Sequence, residues 1–164
     1  MTRPETHDGI SPDWHGVDLD LVTDGWWELD FSRPDYEYFS DRFWHTLGYD
    51  PEKMPRTPEA WKSIIHPEDK ARAIEALAPH IEEGRPYNLL VRYRHAKGHW
   101  VWIVCRGQAV FEDGKPASMV GAHQDVTSLV QGQMSLSPKL SESGRGMLEN
   151  MERLLGILDS RDSV

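Results

Sequence analysis

A single cysteine, Cys105, in 164 residues leaves no internal disulfide to form, which suits a reducing, cytoplasmic setting. Long apolar runs are missing too: none approaches the roughly 18 residues a membrane span needs. Mean hydropathy is −0.61. The start, Met1-Thr2-Arg3-Pro4-Glu5, lacks the basic-then-apolar pattern of a secretory signal, so none is expected. Positive charge is scarce, with 18 Lys and Arg against 27 Asp and Glu, giving a formal charge of −9. That balance repels phosphate backbones and anionic lipid, and no compact basic patch offsets it, so neither nucleic acid nor membrane is an expected partner. Catalytic signatures are absent as well: no glycine-rich phosphate loop, nucleophile elbow, kinase set or cyclase signature is present.

What is there fits one core with appendages. Residues 1–17 are rich in Pro, Gly, Asp and His without periodicity and are expected to be disordered or loosely packed. Asp18 can cap a short turn carrying Leu19, Leu21 and Val22. Trp27, Leu29 and Phe31 alternate as in a strand, as do Tyr36, Tyr38 and Ser40 after the turn at Arg33-Pro34-Asp35. Ser40 is placed to cap a helix from Asp41 to Leu47, which Gly48 ends. Thr57-Pro58 opens a second helix in which Trp61, Ile64 and Ile65 share a face. His66-Pro67-Glu68-Asp69 opens a longer one with a stripe of Ala71, Ile74, Leu77, Ala78 and Ile81, stopped by Gly84 and kinked by Pro79. Three strand-like runs, Tyr87 to His95, Trp100 to Phe111 and Pro116 to Gln124, complete the domain, the last two joined by the turn Glu112-Asp113-Gly114-Lys115. Two strands, short helices, then three antiparallel strands is an α+β order, with a five-stranded sheet and helices on one face. Residues 128–146 are Gly-, Ser- and Gln-rich and read as a flexible linker. Met147, Met151, Leu154, Leu155 and Leu158 then recur at helical spacing, an amphipathic tail over 147–164.

The ordered set Gly25-Trp26-Trp27-Glu28-Leu29-Asp30, Leu47-Gly48-Tyr49, His66-Pro67-Glu68-Asp69, Tyr93-Arg94 before Gly98, and Gly121-Ala122-His123-Gln124-Asp125-Val126-Thr127 resembles a PAS sensory domain. It is most similar to the subgroup with a Trp-rich first strand and a His-Pro-x-Asp helix start. The resemblance runs from about Asp24 to Thr127, and residues 18–127 are taken as the domain. It implies a bacterial signal-transduction module whose last strand hands over to an output helix at Asp125 and Thr127. It also implies a ligand cavity between sheet and short helices. From the strands Trp27, Phe39, Leu89, Val91, Val104 and Val120 could line it, and from the helices Phe43, Trp44, Leu47, Trp61, Ile65 and Ile74. Aromatics on strands usually build core, so whether that space is open stays undecided at this stage.

The residue chemistry narrows what such a cavity would hold. His66 and Asp69 suit a helix cap better than a catalytic pair, since Pro67 fits the first helical position and the acids complement the helix dipole. His95 and His99 flank a hairpin turn but supply two ligands where a closed zinc site wants four, so no metal is expected. His80 lies on the helix resembling the one that bears the axial ligand in haem-binding relatives, yet its position about 120° from Ile74 points it to solvent unless the Pro79 kink turns it inward. The light-sensing relatives carry an Asn-Cys-Arg-type motif on a mid-domain helix, whereas Cys105 falls on a strand. The cofactor is therefore unknown, with haem and flavin disfavoured. The expected function is a non-enzymatic sensory module that binds a small, largely apolar ligand or a protein partner, pairs as a homodimer through the tail stripe with Leu19, Leu21 and Val22, and addresses a downstream signalling protein. The alternatives are a ligand-free interaction domain with a solid core, and a small α+β pocket enzyme using Asp or Tyr as acid and base; the latter requires a buried carboxylate with a raised pKa.

Overall fold

The protein is described from a computed structural model over residues 18–136 and 144–157. The expectations for residues 1–17, 137–143 and 158–164, and for the Met147 side chain, lie outside the described residues. Five strands form one antiparallel sheet: β1 (Trp26–Asp30), β2 (Glu37–Phe39), β3 (Tyr87–Arg94), β4 (Trp100–Glu112) and β5 (Lys115–Asp125), in the order β2-β1-β5-β4-β3. The last strand thus pairs with the first, Trp27 opposite Gly121 and Leu29 opposite Met119. The β4–β5 turn places Asp113 and Gly114 at φ of 50° and 75°, the doubly positive pair that matches the twist of a two-residue hairpin.

The helices divide between the two faces. On the inner face lie α2 (Asp41–Thr46), α3 (Pro58–Lys62), α4 (Pro67–Glu75) and α5 (Leu77–Glu83). They enclose a core of Trp27, Phe39, Phe43, Trp44, Leu47, Ile65, Val91, Tyr93, Ile103 and Met119. Before β1 comes the short α1 (Leu19–Val22), capped by Asp18 as expected. On the outer face α6 (Thr127–Leu136) and α7 (Gly144–Leu154) pack Val126, Val130 and Met151 against Leu90 and Val104.

Several local expectations are corrected. Residues 128–136 form helix rather than flexible linker. Their composition concealed the Val126–Val130 pair, one turn apart, which the sheet buries. Of the stripe on α7, Met151 is fully buried against the sheet and Leu155 packs beside it, while Leu154 is 61% exposed; Glu152 pairs with Arg72 at 2.8 Å. Ser40 does not cap α2 with its side chain; its Oγ accepts from the Trp26 amide instead. The long helix after His66 is two helices, because Pro79 has no N–H to donate and its ring crowds the carbonyl four residues back. The stripe count across residues 71–81 therefore does not run as one helical face; within α4 the buried residues are Asp69 and Ala73, one turn apart, while Ile74 is 46% exposed.

Candidate functional site

Two facing glycines shape the cavity. Gly107 and Gly121 pair across β4 and β5, and the Trp27 indole lies flat over both. A Cβ on Gly121 would come within 2.2 Å of that ring and 2.6 Å of the Arg106 carbonyl, so no side chain fits there. With the indole lying down, the sheet floor stays low beneath α3, α4 and α5. A cavity of about 310 Å³ opens there, rimmed by the β1–β2 connection. The other half of the inner face is solid. Phe43 stacks on Phe39 at 4.8 Å, with Trp44 and Tyr93 edge-on around it, and Leu47 fully buried beside them.

The twelve candidate lining residues therefore separate. Trp27, Phe39, Trp61, Ile74, Leu89 and Val91 lie on the cavity wall. Phe43, Trp44, Leu47 and Ile65 belong to the packed half and do not reach it. Val104 and Val120 lie on the opposite face, because side chains alternate along β4 and β5 and their neighbours Cys105, Gly121 and Met119 face inward. Val104 there supports α6 and α7.

Sequence reasoning missed the polar members of the wall. Glu37 is 4% exposed, and its Oε2 accepts a 2.7 Å hydrogen bond from Trp61 Nε1. Burial pushes its carboxyl up to about 7, despite the opposing Trp61 bond and the charge of Lys62. His123 is 2% exposed, and both ring nitrogens lack a hydrogen-bond partner among the described residues. Desolvation pulls its pKa down to about 3, so the ring is neutral. Phe43 at 4.7 Å and Tyr93 at 5.8 Å confine it. Tyr87 and Tyr93 also face the cavity, with hydroxyl pKa values raised by burial. The Cys105 thiol lines it too, and burial pushes it up to about 12. A parity signal existed for two of these: Cys105 shares its face with Ile103, and His123 with Met119. Glu37 was hidden because Tyr36, Tyr38 and Ser40 suggested the opposite register, whereas Glu37 and Phe39 point inward.

The cap and junction residues are held by specific bonds. His66 caps α4, its Nδ1 accepting from the Glu68 amide at 3.3 Å. Asp69 is fully buried; its carboxylate accepts from the Arg92 amide, Nε and Nη2, each at 2.8 Å, tying α4 to β3. Asp125 Oδ1 accepts from the Thr127 amide at 2.9 Å, and Thr127 Oγ1 accepts from the Trp102 amide at 2.9 Å. The start of α6 is thus fastened to β4. Asp125→Ala should cost on the order of 0.5–2 kcal/mol there. Amide exchange is expected to quicken from Thr127 onward and stay unchanged over 100–111; uniformly faster exchange through the domain would contradict a local role.

The histidines sort as follows. His80 is half-buried rather than turned to solvent: its Nε2 accepts from the Ala109 amide at 2.9 Å and its Nδ1 donates to the Arg85 carbonyl, so it clamps α5 to β4. His95 and His99 stack at 4.4 Å, and no group of three or more candidate metal ligands occurs among the described residues. No described helix is long and apolar enough to cross a membrane.

The sequence profile described as PAS fold matches residues 36–123. A sensory box histidine kinase/response regulator from Burkholderia thailandensis E264 is 32% identical, with a TM-score of 0.60, over 72% of this chain and 88% of that one. The N-terminal domain of a diguanylate cyclase with PAS/PAC sensor from Marinobacter aquaeolei is 24% identical, with a TM-score of 0.56, over 64% of this chain and 96% of that one. A light-oxygen-voltage domain studied with a flavin analogue shares the fold at 19% identity and a TM-score of 0.54, over 76% and 93% of the two chains. No curated protein matches the chain.

Proposed function

The chain belongs to the PAS fold family, and from that premise we propose that it is a cytoplasmic sensory module that binds a small, largely apolar molecule and relays its binding through α6 and α7. The observation that carries this reading is the open cavity of about 310 Å³ in an otherwise solid inner face. Its wall reaches Leu89 and Val91 on β3 and Cys105 on β4, the two strands whose outer residues Leu90 and Val104 support the C-terminal helices. A ligand that shifts β3 or β4 moves the seat of Val130 and Met151. The output partner is a downstream signalling protein that reads those helices.

Haem and flavin are not the molecules we propose. Both His80 nitrogens are engaged away from the cavity. Among the described residues, the wall offers no Asn or Gln to a flavin ring edge and a single cation, Lys62, to its phosphate. Cys105 does lie on the wall, but as an un-ionised thiol on a strand. One observation favours an enzyme instead: Glu37 is a buried cavity carboxyl with a raised pKa. A single carboxyl without a partner titrating near neutrality does not make an acid–base pair, since Tyr87, Tyr93, Cys105 and His123 are all displaced from that range. We read Glu37 as a ligand anchor.

Heating the purified chain and analysing the released small molecules tests the reading. A defined organic molecule at near-equimolar yield, with no absorbance above the tryptophan band, is the expected result. A haem or flavin spectrum would contradict it.

Assembly is part of the same proposal. With Met151 taken up by the sheet, homodimerisation is assigned to Leu21 and Val22, which are 83% and 68% exposed beside a groove on the outer face, together with the exposed Leu154 of α7. Light scattering should give a dimer that Leu21→Asp with Val22→Asp dissociates; a monomer for the unaltered chain would refute it.

A further inference from the structure

The charges on the cavity wall are unbalanced in a way that describes the ligand. Among the described residues, three charged side chains reach it: Asp30, Glu37 and Lys62. The Lys62 ammonium is held by Glu59 on its own helix at 3.2 Å, so it does not close an ion pair with Glu37. The Glu37 carboxyl therefore keeps one oxygen on Trp61 Nε1 and presents the other without a cationic side chain against it. Around it the wall is aromatic, with Trp27, Tyr36, Phe39, Trp61, Tyr87 and Tyr93 contributing. Ring faces carry negative quadrupole potential and attract a cation, worth more where water is excluded. A buried carboxylate inside an aromatic wall is complementary to one positive charge on an apolar body, and to little else of that size.

We infer that the ligand is an organic amine, a single ammonium on an aromatic or aliphatic body, with its charge on Glu37 and its body against the tryptophan and tyrosine rings. This rests on the sensory reading above and specifies its ligand. His123, neutral and fully enclosed, adds no repulsion and offers one donor and one acceptor to a polar substituent at the far end. The groups facing Glu37 from the neighbouring elements are Lys62 of α3, Tyr87 and Tyr93 of β3, Cys105 of β4, His123 of β5 and Asp30 of β1. Across pH 6–8 the tyrosines and the thiol stay protonated and His123 stays neutral. The pH dependence of amine binding over that range therefore reports Glu37.

The test is calorimetric titration of the full chain with 4-phenylbutylamine and with its neutral isostere 4-phenylbutanol, at pH 6, 7 and 8. The amine should bind more tightly than the alcohol, and its affinity should rise about tenfold from pH 6 to pH 8 as the competent, ionised form of Glu37 is populated. Glu37→Gln, which keeps an acceptor for Trp61, should weaken the amine by roughly thirtyfold or more, flatten its pH profile and leave the alcohol unchanged. If the alcohol binds as tightly as the amine, or amine affinity falls with pH, the amine inference is overturned while the sensory reading stands. If neither compound binds at millimolar concentration, both are overturned.

Discussion

Asp69→Ala is expected to destabilise the protein by about 3–5 kcal/mol, because it strands a guanidinium rather than merely removing a contact. Asp69 is fully buried, and Arg92, whose side chain is 15% exposed, gives it three of its donors. Take the carboxylate away and Arg92 keeps one ion pair among the described residues, with Glu68, itself 77% exposed and worth little in water, beside its stacking over Trp102. The Arg92 amide also loses its partner in the edge strand. Urea unfolding should show the midpoint falling steeply for Asp69→Ala and by no more than about 0.5 kcal/mol equivalent for Glu68→Ala. Equal, small effects for the two would mean that α4 is not anchored to β3 through this pair.

Glu37→Gln is expected to stabilise the free protein, increasingly so as pH rises. The folded-state pKa of Glu37 lies near 7 against an ordinary 4.5. Between those values the folded chain holds a proton that the unfolded chain has released, so stability falls with rising pH. The contribution is whole below pH 4.5 and gone once the pH has passed through about 7. Removing the titration should therefore open a gap between variant and parent that widens from pH 4.5 to pH 8 by roughly 3 kcal/mol. Glu28, also raised to about 7 by burial, and His123, lowered to about 3, titrate in both proteins and cancel from the difference. Chemical denaturation of both chains at several pH values measures it. A gap independent of pH would place Glu37 in water, and the anchor role would go with it.

How much was legible in the sequence follows from where the deciding contacts lie. Alternation along β3, β4 and β5, the Asp113-Gly114 turn and the His66-Pro67 helix start are local signals, and they fixed the fold class and order of elements. The open half of the inner face is a long-range property. It depends on Gly107 and Gly121 facing each other across a hairpin, so that Trp27 from the far end of the chain can lie flat over both. Glu37 is similarly opaque, since a lone carboxyl between two tyrosines looks like surface until Trp61, 24 residues later, donates to it. The single stripe read across residues 71–81 ran one helical period through a break that Pro79 imposes. The failure at 128–136 came from trusting composition over a two-residue apolar pair that the sheet buries.

The central claim is that filling the cavity is felt at the C-terminal helices. Hydrogen exchange on the full chain, free and saturated with the molecule released on heating, tests it most directly. The account predicts slower exchange on β3, β4 and β5 around the cavity together with a change across α6 and α7, where Val130 and Met151 sit on β3 and β4. Protection confined to the cavity wall, with residues 127–136 and 144–154 exchanging as before, would contradict it.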